Sequence, residues 1–381
     1  MTTLLLSIIA AALLVMAALY WRQTQEDERD DNQQEDGRVT PLLRGINFLL
    51  SDEPDLALQE MVQVARLRSE AADVYMALGE MFRAKGEIGR AVRIHQNILA
   101  RPDVPRSLHL QAHLALGKDF QTGGLLDRAL KQYDKALMIQ SDHIGALQAS
   151  LRIREQSREW VEAEELLSRL EQIQGDTLHP HRAYLFAEMA AVQLSGDIEK
   201  AEAAAKRALE LDVSCAHAHI VLVKVYLQKG DLTAAKKALQ VMAEKASEHL
   251  HLLIPVILAS KKFYKESGHD VLMKQWQLSR DEELALSWLE ALALNEGAEA
   301  VESLKQALEI SASTLRASLR LVSVGRSSDS LLTEQARQWR RHMKHFLCTQ
   351  CGVKVVELRW QCPQCHAWGT MHAIREDIYS A

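Results

Sequence analysis

Four of the five cysteines in this 381-residue sequence fall close together, as Cys348-x2-Cys351, ten further residues, and Cys362-x2-Cys365. Each Cys-x2-Cys pair can bring two sulfurs within chelating distance across one tight turn. Two such hooks close a tetrahedral thiolate shell around one ion at bonds of ~2.3 Å, with no position left for substrate water. Sulfur ligation favours iron or zinc, and the spacing does not choose between them. Gly352 stands where the turn after a hook wants positive φ, and Pro363 stiffens the second hook. The intervening VKVVELRW predicts a small hairpin joining the hooks, with Trp360 and Trp368 as apolar cover for so small a module. His366 is expected to be a neighbour of the cluster, because four thiolates already fill the shell. The competing reading, two disulfides, belongs to oxidising compartments.

No catalytic residue emerges elsewhere. ALGKDF around Lys118 lacks the upstream glycine and the Ser or Thr after lysine that a phosphate loop needs. His217 and His219 lie two apart in CAHAH, so a helix points them roughly 200° from one another and prevents joint chelation. HPHR at 179–182 reads as a break between two repeats. The fifth cysteine, Cys215, reads as a small buried apolar residue. A net charge of −6 argues against a general nucleic-acid binder. The chain is expected not to be an enzyme.

The elements that must position the hooks are helical. Seven prolines and 5% aromatics accompany a sequence rich in Ala, Leu, Glu, Lys and Gln. A small residue recurs at Ala57, Ala91, Ala129, Ala163, Ala201 and Ala235, at intervals of 34, 38, 34, 38 and 34 residues. The units VYMALGEMFRAKGEIGRAVRIHQNILARPD and AHLALGKDFQTGGLLDRALKQYDKALMIQSD share Leu-Gly, an aromatic three residues on (Phe82, Phe120), a Gly-containing turn and Arg-Ala. Tyr226, Gly230 and Ala235 repeat the scheme. This pattern resembles the tetratricopeptide repeat, a helix-turn-helix unit, with six copies over 38–249. Gly or Ala where the helices cross permits approach to ~8 to 10 Å. One hairpin cannot bury both faces, so neighbours are expected to stack into a superhelix. Over 250–341 the repeats degenerate, though SWLEALALNEGAEAVESLKQALEI still reads as a hairpin, with Ala300 and Ala307 at small positions. The basic run at Arg337, Arg340, Arg341 and Lys344 is expected to be a solvated helix face.

At the amino terminus, Leu4 to Trp21 is an 18-residue apolar run interrupted only by Ser7. It is just long enough to cross a bilayer, which takes ~20 helical residues. The run exceeds a usual signal-peptide core and no cation precedes it, whereas Arg22 follows it. Residues 1–21 are therefore expected to be an uncleaved transmembrane helix with the bulk of the protein in the cytosol. Residues 22–37, polar and acidic, form a solvated tether.

The order of parts, together with RGINFLLS, GEMFRAKGEIGRAVRIHQ, IGALQ and RWQCPQCHAW, resembles the lipopolysaccharide assembly protein B family along essentially the whole chain. The resemblance implies an all-α tetratricopeptide-repeat superhelix with an amino-terminal transmembrane helix and a rubredoxin-like or zinc-ribbon β module at 342–381. It carries the metal ligands over to Cys348, Cys351, Cys362 and Cys365, holding one iron or zinc ion. It further implies a single-pass inner-membrane adaptor, facing the cytoplasm, that limits lipopolysaccharide synthesis. Its expected partners are the membrane protease FtsH, the deacetylase LpxC whose proteolysis it promotes, and an inner-membrane regulator that senses lipopolysaccharide; homodimerisation stays open, and no nucleic acid is expected. The alternatives are a general scaffold for lipopolysaccharide assembly and a redox-active rubredoxin-like protein.

Overall fold

The computed structural model describes residues 72–101, 104–175, 178–296, 298–309, 315–324 and 344–374, with isolated positions between 44 and 60 and between 335 and 338. The expected transmembrane helix, the tether, and Arg337, Arg340 and Arg341 of the basic run lie outside the described residues. Among those described, no helix is long and apolar enough to cross a membrane. The chain divides into two compact units, 1–153 and 154–381.

In the first unit, α1 (Ala72–Ala84) and α2 (Ile88–Leu99) form one antiparallel hairpin, and α3 (Arg106–Thr122) and α4 (Leu126–Ile139) form the next. Helix α5 (Ile144–Gln156) begins in this unit and runs past its boundary. Close crossing at the predicted small residues allows the hairpins to pack. A Cβ on Gly79 would lie 2.3 Å from the His95 ring, and one on Gly117 would lie 2.5 Å from the Tyr133 ring. Each bulky side chain of the second helix thus fills the notch its own hairpin leaves. His95 is fully buried, with its Nδ1 2.6 Å from Asp119, to which Arg83 also donates at 3.0 Å.

In the second unit, α6 (Trp160–Gln174) packs on α7 (His179–Gln193), α7 pairs with α8 (Ile198–Leu211), and α9 (Ala216–Lys229) pairs with α10 (Leu232–Lys245). The second helices of these last two hairpins start at aspartates: Asp197 accepts from the Lys200 backbone N–H and Asp231 from that of Ala234. Such caps satisfy donors that the first turn leaves free. Ala57, Ala91, Ala129, Ala163, Ala201 and Ala235 are all fully buried, as their spacing predicts.

After α10 the hairpin rhythm breaks. A 3-10 stretch (Ser247–Leu253) leads to α11 (Ile254–Ala259), the short α12 (Lys261–Phe263), a π turn (Tyr264–Gly268) and α13 (His269–Ser279). Then α14 (Glu282–Asn295), α15 (Ala298–Leu308) and α16 (Leu315–Val324) follow, with α14 packed against both of its successors. The predicted hairpin is therefore present as α14 and α15, but Ala307 is exposed and Ala300 only half-buried. Val301, Leu304 and Leu308 fill the contact instead, because the degenerate unit closes with larger side chains. Arg320 on α16 donates to Glu290 on α14 at 2.9 Å and to Glu283 at 2.6 Å, an ion pair inside the packing.

The chain ends in a three-stranded antiparallel sheet of order β2-β1-β3, formed by β1 (Phe346–Cys348), β2 (Lys354–Val355) and β3 (Met371–Ala373).

Candidate metal centre

The two hooks are built on one backbone pattern. In the first, the Cys348 N–H donates to Val353 O and the Gly352 N–H to Cys348 O, both at 2.9 Å. In the second, the Cys362 N–H donates to Ala367 O at 2.8 Å and the His366 N–H to Cys362 O at 3.0 Å. Gly352 and His366 therefore occupy the same place in two equivalent turns, and both have positive φ, 76° and 60°. Glycine adopts that conformation freely, whereas histidine does so at a cost. Gly352 marks the first turn in the sequence; His366 is not a residue type that advertises the second.

All four sulfurs lie within 4.8 Å of one another. The cross-hook distances are 3.7 Å for Cys348 to Cys365 and 3.6 Å for Cys351 to Cys362. A tetrahedron with metal–sulfur bonds of ~2.3 Å has edges of ~3.8 Å, so the donor set fits one thiolate-bound ion. All five cysteines are free thiols, which sets the disulfide reading aside. At Cys348, burial works against ionisation, but hydrogen bonds from the Thr370 hydroxyl and the Cys351 and Gln350 backbone N–H groups outweigh it and bring the thiol down to about 6. Donors aimed at sulfur favour the thiolate, the form that ligates metal. The His366 ring is not part of the sulfur cluster.

Two expectations for the module are corrected. VKVVELRW does not join the hooks as a hairpin: only Lys354–Val355 is strand, and it pairs back onto β1, closing a hairpin around the first hook. Trp360 and Trp368 do not cover the module's own core, which is Cys348, Cys362 and Met371 flanked by Phe346, Val353, Val355 and Leu358. Both indoles point away from it, onto helices of the second unit, because a sheet this small has no room to enclose them.

Trp360 stacks on His217 of α9 with ring centroids 4.9 Å apart and lies 5.9 Å from Tyr184 of α7. Trp368 meets Tyr184 at 5.8 Å, His181 at 5.8 Å and, edge-on, Trp160 of α6 at 6.1 Å. The carboxylate of Glu155, near the end of α5, accepts from Trp368 Nε1 at 3.2 Å and from Gln361 Nε2 at 2.8 Å, and His181 Nε2 also faces it. At Gly369 a Cβ would lie 2.6 Å from the Tyr184 hydroxyl, so backbone and ring are in direct contact. Strand β3 adds His372 against Glu248 at 2.9 Å and the Met371 carbonyl against His249 at 3.3 Å. HPHR is thus the first turn of α7 rather than a break, with Pro180 tolerated where no intrahelical donor is needed.

His217 is buried, and its Nδ1 approaches Glu188 at 3.6 Å. Burial pushes the imidazole down to about 3 and the Glu188 carboxyl up, so both favour neutral forms and the approach is not an ion pair at neutral pH. His219 lies apart from it, its Nε2 2.8 Å from Val213 O, as the two-residue spacing predicts. Cys215 is fully buried, its thiol pushed up to about 12 by burial, which makes it inert.

The fold and site together define a tetratricopeptide-repeat protein with a rubredoxin-type metal-binding module. Residues 346–373 match the family described as "Rubredoxin metal binding domain" and residues 195–249 the family "Tetratricopeptide repeat". Lipopolysaccharide assembly protein B of Escherichia coli (strain K12) is 26% identical over 346 residues, covering 87% of this chain and 88% of that protein. Its namesake in Haemophilus influenzae is 25% identical over 352 residues, with the same coverage. A solved tetratricopeptide repeat protein from Parabacteroides merdae covers 72% of this chain and 99% of its own at 12% identity and a TM-score of 0.35, too loose an overlap to add to these. Over 87% of its length the chain is thus similar to proteins named lipopolysaccharide assembly protein B, and it has tetratricopeptide repeats followed by a rubredoxin-type module.

Proposed function

We propose that this protein is a non-catalytic adaptor in lipopolysaccharide assembly. The observation that supports it best is the extent of the likeness: relatives named for that process match 87% of the chain, repeats and metal module together. Stacked helical hairpins offer extended surfaces for protein partners.

In the finer reading, residues 1–21 anchor the chain in the inner membrane, 22–37 form the tether, 38–249 carry the repeats, 250–341 the degenerate ones, and 342–381 the metal module, all on the cytoplasmic side. Cys348, Cys351, Cys362 and Cys365 hold one iron or zinc ion, which supplies the cross-link that so small a core lacks. The adaptor brings the deacetylase LpxC to the membrane protease FtsH, and confinement to one membrane raises effective concentration without new chemistry. The test is the lifetime of LpxC with and without this gene. A longer lifetime in the deletion strain is expected; an unchanged one would refute the protease reading and leave a general scaffold. Purified protein that carries iron and transfers electrons reversibly would instead favour the redox alternative.

A further inference from the structure

The two hooks are not equivalent in what they touch. The second is the tip of a small hairpin: Gln361 and Trp368 form an antiparallel bridge, and the Gly369 N–H donates to Trp360 O at 2.8 Å. The arms closed by Cys362 and Cys365 carry both indoles and the Gln361 amide, which make the ring contacts with Trp160, His181, Tyr184 and His217 and the bonds to Glu155. The first hook is tied into the sheet, which reaches the helices through His372 and Met371 of β3.

We propose that metal occupancy is a latch on the repeats. With four thiolates bound, the second hook holds its arms at the spacing that seats Trp360 on α9 and Trp368 on α6 and α7. Without the metal, the module's buried core is two cysteines and one methionine, too little to fix that spacing. Both indoles then leave, and the aromatic face of Trp160, His181, Tyr184 and His217 opens to solvent. The protein therefore presents one repeat surface when loaded and another when stripped. The latch rests on the reading that the four cysteines bind metal.

The coupling is reciprocal: if metal seats the indoles, the seated indoles tighten the metal by the same factor, of about 5- to 150-fold in typical couplings. The test is hydrogen exchange of the full chain before and after treatment with a chelator, with metal content measured on the same samples. Expected is a loss of protection of about tenfold or more over 181–190 and 216–226, with 106–139 unchanged. Unchanged protection after the metal has gone would overturn the latch alone, and an equal loss throughout would replace it with global unfolding. A chain that never carries metal would overturn the metal reading as well. In a second arm, Trp360→Ala with Trp368→Ala is expected to open the same two segments with metal still bound and to weaken retention against the chelator. Equal retention by parent and variant would also sink the latch.

Discussion

The carboxylate of Glu155 and the indole Nε1 of Trp368 are 213 positions apart in sequence and 3.2 Å apart in space. Only 4% of the Glu155 side chain is exposed, and Gln361 and His181 share the same carboxylate. One acid on α5 thus gathers donors from α7 and from both arms of the second hook.

Glu155→Ala leaves those donors unsatisfied in a closed interface, and a loss of about 2 to 4 kcal/mol from the second unit is expected. Glu155→Gln, which keeps an acceptor oxygen, should lose less than half of that. Urea denaturation followed by tryptophan emission reads both, and equal losses would show that the acceptor role is not what stabilises the contact.

His366 occupies the left-handed position that Gly352 fills in the equivalent hook, with φ of 60°. His366→Gly should therefore stabilise the metal-bound module by about 1 kcal/mol by relieving that conformation. If the four sulfurs hold one ion as proposed, without the imidazole, metal stoichiometry should stay at one per chain. Loss of metal in this variant would give the imidazole a ligating role.

Gly117→Ala sets a methyl group against the Tyr133 ring, where the Cβ would stand at 2.5 Å, and overpacking of about 1 to 3 kcal/mol is expected. Gly89→Ala, on α2 with nothing within 4 Å, should instead stabilise by about 0.5 kcal/mol through helix propensity. The pair of melting curves separates close approach from simple glycine flexibility.

His217 and His251 are both buried and pushed down by that burial, to about 3 and about 4. An unfolded chain takes up these two protons first as pH falls through the ordinary histidine value of ~6.5. Their contribution is therefore constant above that pH and is lost as pH drops from about 6.5 toward 4, approaching about 1.4 kcal/mol per pH unit for each histidine. Denaturation midpoints between pH 7.5 and 5.5 should show this fall, to which His113 and His219, also lowered by burial, add, and His217→Phe should flatten it in part. A slope unchanged in that variant would place the acid sensitivity elsewhere.

Much of the architecture was legible because it obeys local rules. The alanines at intervals of 34 and 38 residues mark helix crossings, where any larger side chain would push the backbones apart, and every one is buried. The four cysteines announce a chelate because two hooks of that spacing converge with few alternatives. Gly352 marks its turn for the same reason. Legibility faded where large apolar residues took over from small ones, as at Val301, Leu304 and Leu308, since many packings accept a leucine and few demand an alanine.

The chain's amino-acid order by itself determined that there would be helical hairpins and a thiolate cluster, because both depend on neighbours a few residues apart. Only the tertiary structure decided what Trp360 and Trp368 face, that His181 lies in the first turn of a helix beneath Trp368, and that Glu155 holds the Trp368 indole. An aromatic ring is satisfied by any apolar surface of the right shape. Its partner is therefore chosen by how distant segments are brought together, and no local spacing encodes that choice.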